Sequence, residues 1–466
     1  MKEDFINFLW KNQNFSRNDL KTTEGKELTI LNAGIKNSNS GPDYSHARII
    51  TDGLQWSGQV ELHVRSSEWK KHGHHLDRAY DNVILHVVYE KDENTFRTDG
   101  THIPTLELKN RLEKPLMERY HNFLKNSLPV EGMPCTNLLA GVTAVSKIAM
   151  LDKALVERLE EKADWVYQTW LKNQRDWEET AWKVIGKSMG FSVNSDPFLN
   201  LADSIPLKIL KKHSANPWQI ESLILGQAGW LQNTFKTSYL NELRKEYLFL
   251  RYKYNLKPIS PHTWKFLRMR PSNFPVVRAV QLATLIGRHE HVFSDLLESD
   301  TICKIRDFWK IEPALFWREP GNVSQVYKIK AKSDTDENNL HLSGLSVTGF
   351  SEESIANLTI NAIIPLLVCF SKVTQEQRYM ERVIGVLENL PPENNVLTRK
   401  WKDSATPITN AHQAQAVIGL VKKYCHYGKC LECTIGNEIV SGKSDSQKTP
   451  TPSQTNPMRV TLQDSL

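Results

Sequence analysis

The spacing of apolar positions divides the chain into two regions with different periods. Up to about residue 127, short segments rich in Val, Ile and Leu alternate apolar with polar positions, and turn-forming residues separate them. A period of two is typical of strands with one buried face. The segments read ELTILNAGI, SHARIITD, QWSGQVELHV, NVILHVVYE and IPTLELK, after an amphipathic FINFLWKN. They predict a helix, three strands, a short helix within SSEWKKHGHHLDRAY, a fourth strand and one short strand more.

From residue 140 to about 430 the apolar positions recur at i, i+3, i+4 and i+7, which is typical of amphipathic helices. Examples are LDKALVERLEEKADWVYQTWLKNQ and VVRAVQLATLIGR, and breaks rich in Pro and Asn separate such segments. Residues 437–466 are polar and rich in Ser, Thr and Pro, a composition that predicts disorder. The pattern therefore predicts an α+β domain over residues 1–127, a mostly α-helical domain over residues 128–436, and a disordered tail over residues 437–466.

Composition narrows the class of protein. The 466 residues carry a net charge of +6, which is compatible with a polyanionic partner without requiring one. The first residues, MKEDFINFLWKNQNF, lack the apolar run of a signal peptide, and no stretch approaches the roughly 18 apolar residues of a membrane span. Six Cys are too few for a disulfide scaffold. These features predict a cytoplasmic protein without a membrane partner.

Two acids flank a predicted hairpin in NSGPDYSHARIITDGLQWSGQVELHVR. Asp43 precedes the first strand, a turn is expected at Asp52-Gly53, and Glu61 lies within the second strand. A hairpin of this kind brings the two acids together, and Mg²⁺ commonly binds one or two protein carboxylates. The hairpin therefore predicts a magnesium site, and the alternative is an ordinary turn acid beside an ordinary surface carboxylate.

Strand alternation assigns the side chains around Glu61 to two faces. It places Glu61, His63 and Arg65 on one face of the strand, and Leu62 on the other. We therefore expect an exposed polar face that carries the metal site.

Pro42-Asp43 followed by Glu61-Leu62-His63 resembles the signature of the PD-(D/E)XK phosphodiesterases, and the predicted order of elements is that of their core. The resemblance implies a restriction-endonuclease-like mixed sheet. It also implies that Asp43 and Glu61 bind Mg²⁺, that the Leu62 carbonyl assists, and that the residue at 63 acts on the attacking water. The family has Lys where this chain has His63, so its fixed cation is in doubt, and Arg65, Lys70 or Lys71 could replace that charge.

Nearly the whole chain, from residue 1 to about 436, resembles an uncharacterised bacterial family known only as a domain of unknown function. The resemblance rests on SGPDYSHARI, GQVELHVRSSEW, HGHHLDRAYDNVILHVV and CLECTIG. It supports the predicted boundaries and implies no reaction.

A second group of metal-binding side chains follows the hairpin. WKKHGHHLDRAYDNVILHVV contains His72, His74, His75, Asp77, Asp81 and His86. Imidazole and carboxylate bind zinc and manganese well, although this spacing matches no specific zinc motif. The alternative is a solvated helix start, with His86 hydrogen-bonded inside a strand.

Cysteines cluster near the end of the predicted helical domain. Cys425, Cys430 and Cys433 have the x₄ and x₂ spacing of residues that bind zinc or an iron–sulfur cluster. A closed site needs a fourth ligand, and Cys135 is the first candidate. The alternative is a set of reduced thiols without a metal.

Basic residues in the helical region offer a binding surface. Arg268, Arg270 and Arg278 flank a Pro-containing turn before a helix, where they could form an anion site with the helix N-terminus. The segment ELRKEYLFLRYKYNLKP is compatible with nucleic-acid binding or with an ordinary helix that buries its aromatic stripe.

Together these features predict a metal-dependent phosphodiesterase that acts on DNA or RNA. One alternative is a non-catalytic nucleic-acid-binding or scaffold protein on the same fold. Another is an interaction protein whose only metal is structural, at the cysteines. We find no phosphate-binding Gly-rich loop and no nucleophile elbow in the sequence.

Overall fold

A computed structural model describes residues 2–37, 40–126, 135–266, 269–326, 344–402 and 407–442. The chain folds into two compact units, each assembled from separate stretches of sequence. The sheet unit comprises Met1–Lys153, Arg399–Pro407 and Ile418–Leu466, and the helical unit comprises Ala154–Thr398 and Ile408–Val417. The predicted Arg268 and most of the predicted tail, residues 443–466, lie outside the described residues.

A mixed sheet forms the centre of the sheet unit. Its strands are β1 (Leu28–Asn32), β2 (Ile35–Lys36), β3 (Tyr44–Thr51), β4 (Leu54–Arg65), β5 (Val83–Glu90) and β6 (Thr105–Glu107). They lie in the order β1-β3-β4-β5-β6, with β2 paired to β3. The pairs β4–β5 and β5–β6 are parallel, and β1, β2 and β4 each run antiparallel to β3. The expected mixed sheet is confirmed, and ELTILNAGI forms two strands where one was expected.

The β3–β4 hairpin turns at Asp52 and Gly53, whose φ angles are 56° and 74°. Positive φ at both central residues matches the right-handed twist of the two strands. The strands pair from Thr51↔Leu54 at the turn to Tyr44↔Val60 at the other end. This register places Asp43, directly before β3, beside Glu61 of β4.

Three helices from the first part of the chain belong to the same unit as this sheet. They are α1 (Glu3–Asn12), α2 (Glu68–Lys71) and α3 (Lys114–Asn126). Helix α1 packs against β4 and β5 and buries Phe5, Ile6, Leu9 and Trp10. Two single turns of 3₁₀ helix, His74–Leu76 and Arg78–Tyr80, follow α2 before the chain enters β5.

The helix Thr434–Ser441 belongs to the sheet unit, although it lies near the end of the described chain. It packs against α3, where Arg119 Nε donates to the Val440 carbonyl at 2.9 Å. The backbone N–H of Thr143 donates to Glu438 Oε1 at 2.7 Å. Residues 425–433, which we call the cysteine segment, were expected in the helical domain, whereas these contacts are with the sheet unit.

Helices account for the regular structure of the described residues beyond α3. The bounds are Ala144–Lys172, Trp177–Met189, Ser195–Ser204, Leu207–Lys211, Pro217–Gln227, Ser238–Tyr254, Pro275–Arg288, Val292–Glu298, Ile302–Phe308, Leu315–Arg318, Asn322–Val326, Glu352–Leu358, Ile364–Thr374, Gln377–Asn389, Val396–Lys402 and Ala411–Leu420. The expected helical region is confirmed by these elements.

One helical run, Glu352–Thr374, is long and apolar enough to cross a membrane by length and composition alone. Its apolar window is 78% buried inside the protein, which is typical of a core helix. The run is more apolar than the sequence analysis expected of any segment.

A candidate metal centre beside the hairpin

Two backbone hydrogen bonds hold Asp43 and Glu61 side by side. The Asp43 N–H donates to Glu61 Oε2 at 3.0 Å, and the Leu62 N–H donates to Asp43 Oδ2 at 3.0 Å. Each carboxylate therefore has one oxygen fixed by the backbone of the neighbouring strand. The hairpin brings the two predicted acids together, while the Leu62 side chain lies fully buried.

Two histidines approach the other oxygen of Glu61, and a third adjoins them. Glu61 Oε1 lies 3.3 Å from His74 Nε2 and 3.8 Å from His63 Nε2. His63 Nε2 in turn lies 3.1 Å from His72 Nδ1. His, Cys, Asp and Glu side chains can each offer a ligand atom to a metal ion. Within the described part of the chain, His63, His72 and His74 form the one group of three or more whose ligand atoms all lie within 4.8 Å of one another. We call Asp43, Glu61, His63, His72 and His74 the histidine–carboxylate cluster.

Local backbone geometry places His72 and His74 in this cluster. His72 ends α2, and Gly73 follows with φ of 79°. Gly adopts this left-handed conformation without the steric cost that a side chain would add. The chain thereby reverses between the two histidines, so both rings return toward β4.

Helix α2 is tied to the sheet at its N-terminal end. Glu68 Oε2 accepts hydrogen bonds from the backbone N–H groups of Val64 and Arg65 at 2.9 and 3.0 Å. Asp92 accepts from the N–H and the hydroxyl of Ser67 at 2.8 and 2.7 Å. These bonds fix the position of the short helix that ends at His72.

The cluster is buried, which corrects the expectation of an exposed polar face. Glu61 is 5% exposed and His63 is 1% exposed. Both faces of β4 are therefore covered at this point, because α2 and the turns after it fold over the polar face. His72 remains exposed, so the cluster reaches solvent on that side.

Burial dominates the electrostatics of the cluster. It raises the pKa of Asp43 to about 7, with the charge of Glu61 adding to the effect and the Leu62 N–H opposing it. Burial also lowers the pKa of His63 to about 2 and that of the neighbouring His86 to about 3. Both imidazoles are therefore neutral at pH 7, which is the form that binds metal ions.

His86 supports His63 from the adjacent strand. His86 is fully buried, and its Nε2 lies 2.8 Å from His63 Nδ1. The tautomer that leaves His63 Nε2 free for a ligand is the one in which His63 Nδ1–H donates to His86. A partner of this kind commonly orients a metal-binding imidazole.

Aromatic contacts fix His74. Its ring stacks on Tyr80 with a centroid separation of 3.8 Å and meets the edge of Trp69 at 5.3 Å. His74 Nε2 is buried and has no hydrogen-bond partner among the described residues, although Glu61 Oε1 is close. An unpaired buried nitrogen aimed at a carboxylate and two further imidazoles indicates a site for a bound cation.

The donor set fits a transition metal better than Mg²⁺. Three imidazole nitrogens and a carboxylate oxygen are the ligands of zinc and manganese sites, whereas Mg²⁺ prefers oxygen alone. Ligands about 2.0–2.1 Å from a tetrahedral ion lie roughly 3.3–3.4 Å apart. The separations of 3.1, 3.3 and 3.8 Å within the cluster bracket that value.

Glu3 adds a carboxylate near the exposed side of the cluster. It lies at the start of α1 and is exposed. Partial desolvation of its carboxylate is the largest cause that raises the pKa of Glu3. The charge of Glu61 raises it further, and His72 opposes both. Glu3 was not expected from the sequence, since an acid in the first turn of a helix is ordinary.

The predicted replacement cations lie elsewhere on the surface. Arg65 faces Glu90 at 4.0 Å, Lys70 pairs with Glu93 at 2.9 Å, and Lys71 is exposed. The charge that lowers the pKa of Asp43 comes instead from Lys36 on β2. The sequence analysis missed Lys36 because a two-residue strand leaves almost no periodic pattern.

Other residues of the histidine-rich segment stabilise turns. Asp77 accepts from the Ala79 N–H at 2.9 Å, and Asp81 accepts from the Thr98 hydroxyl at 2.7 Å. His75 is half-buried and is not part of the converging group.

Of the three predicted arginines, the two that the structure describes do not form an open anion site. Arg278 is 1% exposed, donates to Asn273 and Ser354 at 2.6 and 2.9 Å, and stacks on Phe191. Arg270 is exposed and faces Glu353 at 3.4 Å. Arg278 therefore serves as a buried, hydrogen-bonded packing residue.

The four candidate cysteines come together in the sheet unit, and all are free thiols. Burial raises the pKa of Cys425, and the charges of Cys135, Cys433 and Cys430 raise it further. Burial likewise raises the pKa of Cys135 to about 12, with smaller contributions from Cys433 and Cys430. Their sulfur atoms are more widely spaced than the histidine nitrogens, since they form no group within 4.8 Å.

Backbone N–H groups point at one of these sulfurs. Burial raises the pKa of Cys433, and hydrogen bonds from the N–H groups of Gly436 and Ile435 oppose that effect. Donors of this kind favour a thiolate at the start of a helix. A side chain at Gly436 would place its Cβ 2.1 Å from the Cys430 carbonyl oxygen, so the cysteine segment and the helix approach as closely as backbones can.

Comparison with known proteins identifies a family whose description states no function. A family model described as "Protein of unknown function (DUF2851)" matches residues 3–396. The chain matches no curated protein and no solved structure significantly.

Proposed function

The chain belongs to the DUF2851 family, and we propose that it is a metal-dependent phosphodiesterase that acts on nucleic acid through the histidine–carboxylate cluster. The observation that carries this proposal is the convergence of three imidazole nitrogens, two of which lie close to Glu61 Oε1, beside Asp43.

The arrangement of the sheet supports the resemblance to the restriction-endonuclease-like core. Helix α1, strands β1 to β4, the short helix α2 and strand β5 follow in that order, and β4 and β5 are parallel. The paired acids lie on the second hairpin strand and directly before the first. This chain departs from the PD-(D/E)XK pattern by using imidazoles around Glu61 where that pattern has one Lys.

Glu61, His63, His72 and His74 would hold a zinc or manganese ion. When bound, such an ion polarises a phosphoryl oxygen and lowers the pKa of a coordinated water. His63 is then a ligand held in its tautomer by His86, and no longer the water-activating group that the resemblance implies.

Asp43 is the group that we assign to the attacking water. Its carboxylate adjoins the ligands and is fixed through Oδ2 to the Leu62 N–H, which leaves the other oxygen to accept a hydrogen bond. A carboxylate held beside the ligands in this way can accept a proton from that water. Glu61 cannot share that task, because both of its oxygens face other groups.

The metal site is tested by titration of the purified chain with Zn²⁺, Mn²⁺ and Mg²⁺, using calorimetry and metal analysis. We expect Zn²⁺ or Mn²⁺ to bind more tightly than Mg²⁺, and we expect Glu61→Gln and His74→Gln to lose that site. The matched control is His75→Gln, one residue away, which should bind as the wild type does. Cobalt substitution separates this site from the cysteines, since only thiolate ligands give strong sulfur-to-metal absorption. Equal binding by His74→Gln and His75→Gln would contradict the site.

Cleavage is tested on single-stranded and duplex DNA and RNA with each metal. We expect Asp43→Asn to retain the metal and to lose activity by about a hundredfold or more, as expected for the loss of a general base. Full activity in that variant would remove Asp43 from the reaction. Metal binding without cleavage of any of these substrates would contradict the phosphodiesterase and favour a non-catalytic nucleic-acid-binding protein.

A further inference from the structure

A cleft of about 180 Å³ in the sheet unit concentrates positive charge. Five lysines line it, from the start and end of α1, from β2, from the helix after Ala144, and from the cysteine segment. They are Lys2, Lys11, Lys36, Lys153 and Lys429. Two acids, Asp4 and Glu432, also line the cleft, so cations outnumber carboxylates there. We call this cavity the lysine cleft.

The five lysines are exposed, and none has an ion-pair partner among the described residues. Most other lysines near this sheet are paired, as with Lys21 to Asp19 and Lys26 to Asp52, both at 3.0 Å. Like charges held around one cavity repel one another, so their placement is unfavourable in the absence of an anion. The cleft therefore has the charge distribution of a site for a polyanion.

One face of α1 lines the cleft. Asp4, Phe8 and Lys11 follow the i, i+4, i+7 spacing and all line it, whereas Phe5 and Leu9 of the same helix are in the core. Lys36 lies beside Tyr44 on β3, and its charge also acts on Asp43. Lys36 therefore connects the cleft electrostatically to the histidine–carboxylate cluster.

The cysteine segment supplies the other wall. Residues 427–432 line the cleft and lie between Cys425 and Cys433. Tyr427 in this segment is 75% exposed, so its ring is accessible for stacking. Lysines that contact phosphates, together with an exposed aromatic ring, are the features of single-strand binding, in which bases stack on the ring.

We propose that the lysine cleft binds the backbone of single-stranded nucleic acid, with Tyr427 stacking on an unpaired base, and leads the strand to the histidine–carboxylate cluster. This proposal rests on the proposed function for the destination of the strand, whereas the binding itself does not depend on cleavage. It replaces Arg65, Lys70 and Lys71 with a different set of cations on the same unit.

Fluorescence anisotropy with labelled oligonucleotides of about 16 nucleotides tests the cleft, without added divalent metal so that no strand is cut. The variant Lys11→Ala/Lys36→Ala/Lys429→Ala removes three cleft charges. The control Lys21→Ala/Lys26→Ala/Lys109→Ala removes three charges from paired, exposed lysines outside the cleft. Circular dichroism and thermal unfolding establish that both variants fold.

We expect the cleft variant to bind single strands about tenfold or more weakly, and its dependence of log affinity on log salt to become shallower by about two. We expect the control to retain the wild-type slope. Tyr427→Ala should weaken binding by about fivefold or more without changing the salt slope, because it removes stacking and no charge.

Equal losses in the two triple variants would overturn the cleft, since net charge alone would then explain binding. Tighter binding of duplex than of single strands would overturn the stacking role. Binding of anionic phospholipid vesicles with no affinity for oligonucleotides would overturn the proposal in favour of a membrane surface. Wild-type protein that binds single strands but cleaves no nucleic acid with any of the metals would refute the proposed function and leave the cleft standing.

Discussion

At the scale of single residues, His86 fixes the tautomer of His63 from a position that solvent does not reach. It is fully buried and within hydrogen-bond distance of His63 Nδ1. We expect His86→Leu to weaken metal binding by about 10- to 100-fold, because His63 loses the acceptor that fixes its tautomer. The measurement is calorimetric titration with Zn²⁺ and Mn²⁺.

The variant His86→Gln separates positioning from packing. Its amide oxygen can accept from His63 Nδ1–H, so we expect it to recover much of the affinity that His86→Leu loses. Equal affinities in these two variants would mean that His86 only fills space.

Glu221 in the helical unit predicts a dependence of stability on pH. It is 7% exposed and accepts from Trp317 Nε1 and Tyr239 Oη at 2.7 and 2.9 Å. Burial raises its pKa from 4.5 to about 7, and the two donors only partly oppose that shift. The folded state therefore binds the proton more tightly than the unfolded state does. Its contribution to stability is complete below about pH 4.5 and is lost as the pH rises to about 7.

We expect Glu221→Gln to abolish this loss, which amounts to at most about 1.4 kcal/mol per pH unit within that window. Denaturant unfolding between pH 4 and pH 8 measures the effect as the difference between wild type and variant, in buffers about one unit apart. The exposed Glu242, on the helix Ser238–Tyr254, gives the control Glu242→Gln. A pH profile that is the same in wild type and Glu221→Gln would contradict the prediction.

At the scale of elements, the cysteine segment and the helix Thr434–Ser441 act as one piece. The close approach at Gly436 leaves no room for a Cβ, because the Cys430 carbonyl would lie 2.1 Å away. We expect Gly436→Ala to separate the two, to lower the free energy of unfolding by about 1–3 kcal/mol, and to weaken strand binding through Tyr427 and Lys429. Gly141→Ala is the control, since a Cβ there meets nothing within 4 Å.

The same element carries the prediction of a structural metal. Cys135, Cys425, Cys430 and Cys433 should bind about one equivalent of zinc or an iron–sulfur cluster when the protein is purified without oxygen. We expect Cys433→Ser to lose this metal and to lower the unfolding temperature, while the metal at the histidine–carboxylate cluster stays bound. Protein that contains neither zinc nor iron at these thiols would contradict the prediction.

The elements themselves follow largely from the sequence, and the site follows only in part. Alternation located β3 and β4, since strands with one buried face have a period of two, whereas β5 is an apolar run that is buried on both faces. Alternation misassigned the environment of Glu61 and His63, because a pattern on one strand does not say what folds over its polar face. The cluster depends on α2 and on the reversal at Gly73, and the sequence treated the hairpin and the histidine-rich segment as separate sites. His72-Gly73-His74 was the available signal, since a glycine between two ligands allows both rings to face one point.

Arg278 illustrates the converse error at the level of elements. Its position before a helix favoured an anion site, but tertiary packing surrounds it with Asn273, Ser354 and Phe191. Arg278 and Ser354 are 76 positions apart, and a contact over that separation is invisible to local spacing. The lysine cleft was missed for the same reason, because its five lysines come from separate parts of the chain.

At the scale of the whole molecule, the sheet unit is assembled from the earliest and the latest of the described segments. Thr143 and Glu438, which are hydrogen-bonded, are 295 positions apart. A ribosome that adds about 5–20 residues per second needs roughly 15–60 s to cover that distance. Throughout that interval the sheet unit is incomplete, while the intervening helices emerge and can begin to fold. The face of α3 that packs against the helix Thr434–Ser441 has no cover, and Cys135 has no partner thiols. Newly made chains therefore pass through a prolonged stage in which the first unit to be translated is the last to be completed, and chaperones that shield nascent apolar surface would act on it then.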